Sequence, residues 1–357
     1  MSEGLMGEGK HTIRGEVGWR CPSNIALIKY WGKHGEQLPR NASISFTLNN
    51  AHTDTIMKYE MGRSPEKAIV KKFSFEGKEQ EDFRTRIEKY FQNLSGRIPF
   101  LKEIELEISS TNSFPHSSGI ASSASSMGAL ALGLCSIEQE LFGQLSNKEE
   151  FFGRASYIAR LGSGSASRSV FPHLAAWGQH DLIEGSDDEF AVPFAEVHEV
   201  FKTFHNDILI VSDEKKSVSS SAGHQLMENN VFAPARYEQA KKRMNDLLES
   251  LKTGNLEVFG KIVEDEAMTL HALMMCSDPS YVLLEPGTLS IIKKIRSFRK
   301  ETKIPVYFSL DAGPNIHLMF PDSHKDAVKE WQDNALRTHC VNGLIIEDQV
   351  GQGPKKL

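Results

Sequence analysis

An α+β fold in two lobes, with a ligand cleft between them, is what this sequence predicts, and three observations predict it. Its 357 residues make roughly two domains at about 150 residues each. The strand-and-helix pattern restarts near residue 196 with no low-complexity linker before it, so the lobes should share an extended interface (1–195 and 196–357). Finally, a strand runs through a Gly/Ser turn directly into a small-residue helix at 114–134, which is the build of a site for a small anion. The elements follow in order. Residues 24–30 and 43–48 read as strands, and 53–60 with 68–74 as a hairpin around Gly62–Pro65. Helical spacing appears at 80–94, and Ile104-Glu105-Leu106-Glu107-Ile108 alternates as a half-buried strand. Helices follow at 127–134 and 147–160. The second half reads as a strand at 207–211, a Ser-rich turn at 217–221 and helices at 234–252, 254–275 and 287–300. Strands at 306–310 and 315–320, a helix at 322–337 and a strand at 342–347 complete it.

Composition excludes several classes. Hydrophobic residues at 39% and charged residues at 25% rule out a disordered, collagenous or coiled-coil chain. Lys+Arg 41 against Asp+Glu 47, a formal charge of −6, argues against bulk nucleic-acid or anionic-membrane binding but not against a small anionic ligand. The 4 cysteines form no CxxC pair and no zinc spacing. Residues 1–15 lack the apolar run of a signal peptide, and no stretch approaches a membrane span, so the expectation is a soluble, cytoplasmic protein.

Four segments carry chemistry. In Pro115–Ser126 the free N–H groups and dipole of a helix start suit phosphate, with Ser117, Ser118, Gly119, Ser122, Ser123 and Ser125 around it. A close-packed Ser/Ala helix would look the same. Ser122 is also a candidate Mg²⁺ ligand. Gly162–Ser169 repeats the small-residue theme and adds Arg168, a planar fork for a carboxylate or phosphate, or a solvated turn residue. Asn24–Lys33 places Lys29 and Lys33 on one side of an extended chain near Tyr30 and Trp31, as an anion site or a charged edge strand would. Ser309–Asn315 presents Asp311 at the exit of an apolar strand, as a reactive carboxylate or an ordinary Asx turn. Among the 13 histidines, His224 and His317 read as structural.

Taken together, NIALIKYWGK (24–33), FPHSSGIASSAS (114–125), ARLGSGSASRS (159–169), VSSSAGH (218–224) and SLDAGPN (309–315) resemble the diphosphomevalonate decarboxylases. These belong to the superfamily of galactokinase, homoserine kinase, mevalonate kinase and phosphomevalonate kinase. The resemblance runs from about residue 19 to 320. It implies an N-terminal lobe with a ribosomal-protein-S5-like sheet, a ferredoxin-like C-terminal lobe, and ATP-dependent decarboxylation of (R)-5-diphosphomevalonate with Mg²⁺. By resemblance, Asp311 is the catalytic acid that orients and deprotonates the C3 hydroxyl, and Arg168 holds the substrate carboxylate. Tyr30, Lys33, Ser163 and Ser165 fall around the phosphates, with Asn24 and Lys29 alongside. Ser122, Ser123 and Gly119 belong to the ATP loop, and Ser220 faces substrate. Apart from the resemblance, Asn112 and the strands around 68–74 are the candidates for the adenine. The family often forms homodimers. The sister activities, a phosphomevalonate decarboxylase or a mevalonate 3-kinase, are the alternative. The chain departs from the family at Phe171-Pro172-His173, where an aromatic and two glycines are usual, and at His116, Ser221, His34 and Arg40.

Overall fold

The structure, a computed structural model, describes residues 13–115, 122–214 and 218–357. Of the expected nucleotide loop, Ser117, Ser118 and Gly119 lie outside the described residues, as does Ser217 of the Ser-rich turn.

The first half is organised by two long strands. β1 (Arg14–Ala26) pairs antiparallel with β4 (Ser43–Met61), with a register shift between Pro22 and Asn24. Pro22 has no N–H to give the ladder, which accounts for an irregularity there. Ala51, Thr53, Thr55, Met57 and Tyr59 are the buried alternate residues of β4, the period of two that a half-covered strand requires. A short ribbon, β2 (Lys33–His34) and β3 (Leu38–Pro39), stands between these strands.

β5 (Val70–Phe75), β6 (Lys78–Glu79), α1 (Glu81–Leu94) and β7 (Ile104–Asn112) follow. The expected hairpin of 53–60 with 68–74 does not form. β7 lies between the two strands, antiparallel to β4 and parallel to β5. The α1 crossover gives β5 and β7 the length that a parallel connection needs.

α2 (Ser122–Phe142) crosses the back of the sheet. A Cβ at Gly128 would sit 2.5 Å from Cys21 Sγ and one at Gly133 2.4 Å from Met57 Sδ, so two glycines set how closely this helix approaches. α3 (Lys148–Gly162), capped by Asn147, leads to the short α4 (Ala166–Ser169), β8 (Leu174–Trp177) and β9 (Ala191–Pro193).

The second half runs α5 (Glu199–Lys202), β10 (His205–Leu209), α6 (Ser220–Gln225), α7 (Ala233–Thr253), α8 (Leu256–Met275) and α9 (Pro286–Thr302). Then come β11 (Tyr307–Leu310), β12 (Ile316–Phe320), α10 (Lys325–Ala335), β13 (Ile345–Ile346) and β14 (Lys355–Lys356). Among the described residues, the first sheet is ordered β14-β1-β4-β7-β5-β6, with β8 and β9 branching from β4, and the second β11-β12-β10-β13. No described helix is long and apolar enough to cross a membrane.

The two halves share a core. Phe46 of β4 has ring centroids 6.4, 6.1 and 6.0 Å from Phe201, Phe204 and Phe259. The C-terminal segment adds a second tie. Buried Asp348 accepts from the backbone N–H groups of Asn49 and Asn50 at 2.8 Å and Ala51 and Gln349 at 2.7 Å. Asp348→Ala would orphan these donors, and we expect a loss of about 3 kcal/mol. At about 2.1 cal/mol/K of unfolding entropy per residue, that is a fall of roughly 4 °C in a thermal melt; an unchanged midpoint would count against this role.

The same segment accommodates Phe171-Pro172-His173. His173 takes a left-handed backbone at φ 55°, a conformation a glycine adopts without strain. Its N–H donates to Gly351 O at 2.9 Å, and its carbonyl accepts from Thr47 N at 2.8 Å. Opposite, Gly353 sits at φ 85°, where a Cβ would lie 2.9 Å from Pro172 N.

Candidate active site

β1 ends at Ala26, so Lys29 and Lys33 are not two rungs of one strand. A bend at Leu27–Ile28 turns the chain, and Lys29 to Gly32 run as irregular backbone across the mouth of the cleft. This permits Lys29 and Tyr30 both to face inward. Lys29 is 3% exposed, and its Nζ donates to Asp311 Oδ1 at 3.0 Å. Asp311 follows β11 and is 26% exposed. Its carbonyl is fixed by Gly313 N–H at 2.8 Å and His271 Nε2 at 3.1 Å. A turn of Gly313-Pro314 after an apolar strand thus holds the carboxylate at the cleft wall.

The Lys29 main chain is held from the other lobe. Its N–H donates to Glu266 Oε2 at 2.9 Å, and its carbonyl accepts from Arg236 Nη2 at 2.8 Å. Glu266, 0% exposed on α8, is itself bonded by Arg236 at 2.7 and 2.5 Å and by Arg243 at 2.8 Å. Two guanidiniums and the Lys29 amide hold this carboxyl below its ordinary range despite burial. Burial lowers the Lys29 pKa, while Asp311 and then Glu266 oppose the fall.

Arg168, on α4, is 1% exposed. It donates to Ser43 Oγ and, at 3.5 Å, to Asn24 Oδ1, and its guanidinium lies 5.5 Å from the centre of the Tyr30 ring. Its Nε has no hydrogen-bond partner among the described residues. Burial brings its pKa down to about 10, opposed by Tyr30 and Asp311; it remains a cation at neutral pH. Asn24 is itself held by Ser165 O at 3.0 Å and Ser169 Oγ at 2.7 Å. Tyr30 is packed edge-on to Trp177 at 4.9 Å, and Gly164 is close by, where a Cβ would lie 2.6 Å from Trp177.

Asn24, Lys29, Tyr30, Lys33, Ser123, Ser163, Ser165, Arg168, Ser220 and Asp311 therefore line one cleft of about 210 Å³. Sequence reasoning missed Gln37, which accepts from Lys33 Nζ at 2.6 Å, and His224, read as structural, which also lines the cleft. His224 stands inside the VSSSAGH segment, so the motif carried it, but nothing in one sequence shows a lone histidine facing a cavity. His317 is buried, bonded to Asn206 at 2.9 Å.

Ser123 continues the site outward: its Oγ is 3.3 Å from Ser163 Oγ, and it also lines an adjoining cavity of about 260 Å³. Phe73, Phe75, Phe83, Ile87, Met127 and Leu130 form the walls of that cavity, with Ser110, Asn112 and Ser122 among its polar groups. Ser125 lines neither cavity: it is fully buried and bonded to Thr53 at 2.6 Å, about 200° around the helix from Ser123.

A cleft that sets one carboxylate–ammonium pair against a buried guanidinium, joined to an apolar cavity at a helix start, defines an enzyme of small polyanions. Comparison with known proteins gives the family. A diphosphomevalonate decarboxylase-like N-terminal domain model matches residues 21–189, and the mevalonate 5-diphosphate decarboxylase C-terminal domain model matches 207–344. The chain belongs to the diphosphomevalonate decarboxylase family. Similar curated relatives include the diphosphomevalonate decarboxylases of Debaryomyces hansenii, 31% identical over 94% of this chain and 93% of that one, and Candida albicans, 29% identical over 94% and 96%. Among solved structures, the Staphylococcus aureus mevalonate diphosphate decarboxylase is 28% identical with a TM-score of 0.82, covering 97% of this chain and 98% of that one. MDDEF, solved in complex with MVAPP, AMPPCP and magnesium, is 27% identical with a TM-score of 0.81, covering 97% and 99%.

Proposed function

We propose that this chain catalyses the ATP-dependent decarboxylation of (R)-5-diphosphomevalonate to isopentenyl diphosphate, releasing ADP, phosphate and CO₂. Family membership supports this, and the observation that carries it is the Asp311–Lys29 pair in the same cleft as buried Arg168. Asp311 orients the tertiary C3 hydroxyl and takes its proton as phosphoryl transfer begins. Lys29 donates to that carboxylate and stabilises negative charge developing on oxygen. Arg168 fixes the substrate carboxylate, its Nε being without a hydrogen-bond partner among the described residues. Phosphorylation makes the C3 oxygen a good leaving group; its departure builds positive charge at C3, and the carboxylate collapses to CO₂ and the alkene.

The residues fit the nucleotide. A flat apolar base suits the phenylalanine-walled cavity with Asn112 at its polar side, and the α2 start leads from there to the cleft through Ser123. For Mg²⁺ the described residues hold no group of three or more His, Cys, Asp or Glu. Magnesium bound through phosphates needs only one or two protein oxygens, which Ser122 and Ser123 would supply. When bound it neutralises charge on the phosphate oxygens. We read residues 1–195 as the ATP-binding lobe and 196–357 as the lobe carrying Asp311, in a cytoplasmic homodimer.

The reading is tested by supplying mevalonate, its 5-phosphate and its 5-diphosphate with ATP and measuring ADP and CO₂. Equal ADP and CO₂ from the diphosphate alone supports it. CO₂ from the monophosphate, or ADP without CO₂, transfers the assignment to a sister activity.

Lys33 gives a pH prediction. Burial brings its pKa down to about 8, so in the free enzyme its charge is present below that pH and lost above it. We expect kcat/KM for the polyanion to fall as pH rises through 8 while kcat changes little, because bound phosphate holds the proton on. Lys33→Arg should carry kcat/KM flat past pH 9.

A further inference from the structure

We propose that His224 is a binding residue for a phosphate of the substrate, donating a hydrogen bond from Nε2 into the cleft; this deepens the reaction proposed above and rests on it. The imidazole is placed by its neighbours on every other side. Its ring stacks on Tyr30 with centroids 4.9 Å apart at 21° and tilts against Trp31 at 4.5 Å. Its Nδ1 accepts the Gly32 N–H at 3.0 Å. A nitrogen that accepts carries no proton, so the neutral ring carries it on Nε2.

Two glycines make the arrangement possible. Gly32 sits at φ 111°, which aims its N–H, and at Gly223 a Cβ would lie 2.6 Å from both Trp31 and Tyr281 Oη. His224 is only 5% exposed, yet it lines the cleft, and among the described residues Nε2 makes no hydrogen bond. With both faces and Nδ1 engaged, the edge bearing Nε2 is what the ring offers to the cavity. Burial and the Lys33 charge hold the ring's pKa well below the ordinary value, keeping a single donor at neutral pH.

The charges at this end of the cleft favour an anion. Lys33 Nζ lies 5.9 Å from the centre of the same Tyr30 ring. Asp311 is the one acid among the described residues lining the cleft, and Lys29 is paired with it. A neutral N–H beside an ammonium is a pairing that hydrogen-bonds phosphate oxygens, and bonds to charged groups are the stronger kind.

The test separates the donor from the packing. In His224→Asn the side-chain oxygen takes the place of Nδ1 as acceptor for Gly32, and the Nε2–H is lost; His224→Gln instead reaches the Nε2 position with an amide N–H. We expect His224→Asn to raise KM for the diphosphate substrate about tenfold with kcat within twofold, and His224→Gln to stay within threefold of the parent. Independently, nitrogen NMR of the parent should show a neutral Nε2–H tautomer whose Nε2 resonance moves when inorganic diphosphate is added. An unchanged KM in His224→Asn, or an Nε2 resonance indifferent to diphosphate, overturns the proposal. Absence of CO₂ from the parent overturns the reaction, whereas the diphosphate titration still decides the contact.

Discussion

Asp311→Asn should lower kcat by about 10³-fold or more while ATP binding and the melting temperature stay close to the parent. Asparagine keeps the shape and an oxygen to accept from Lys29 Nζ, so the 3.0 Å contact can persist. What disappears is the capacity to take a proton, worth about 10²–10⁴ in rate, together with the charge that supports Lys29. Because burial already depresses the Lys29 pKa and Asp311 is the main opposing influence, the same change should let Lys29 deprotonate at lower pH. The residual activity should therefore fade on the alkaline side earlier than in the parent. A mutant within tenfold of the parent rate, measured as ADP release, would refute the assignment of Asp311.

Arg168→Met should destroy carboxylate binding and leave the fold as stable as before, or more so. The guanidinium is 1% exposed, has a neutral oxygen at Ser43 and a long contact to Asn24, and faces no carboxylate at hydrogen-bond distance among the described residues. Exchanging buried ionic groups for apolar side chains of similar volume is often neutral or stabilising. Losing the partner of a buried anion, by contrast, costs about 2–5 kcal/mol of binding, so kcat/KM should fall by roughly 30- to 5,000-fold. Arg168→Lys should recover little, since a point charge does not reproduce a planar fork. If Arg168→Met both unfolds the protein and leaves activity per folded molecule intact, the residue is structural.

Much of the site was legible because its chemistry is carried in short contiguous segments. Asp311 after an apolar strand, Arg168 among glycines and serines, and Lys29 with Lys33 are readable from local rules. Two kinds of information were not. The irregular turn after Ala26, which lets Lys29 and Tyr30 face the same way, depends on packing against α7 and α8, where Glu266 and Arg236 meet the Lys29 peptide. Sequence patterning carries no trace of a contact across 237 positions. Likewise the pairing of β7 between β4 and β5 is invisible to local alternation, which marks a strand but not its neighbours. Ser125 shows the complementary error: a hydroxyl two residues from Ser123 looks equivalent in a string and lies on another face of a helix.

The phenylalanines at 46, 201, 204 and 259 have a consequence for how ligands enter. Prising the halves apart like a clamshell would hydrate a continuous aromatic seam, at about 1.5–3 kcal/mol for each ring uncovered, and would tear the Lys29 peptide from Glu266. Accommodation of the two reactants must therefore come from small excursions around the rim, such as the ribbon of Lys33–His34 and Leu38–Pro39, with the body of the molecule behaving as a rigid anvil beneath them.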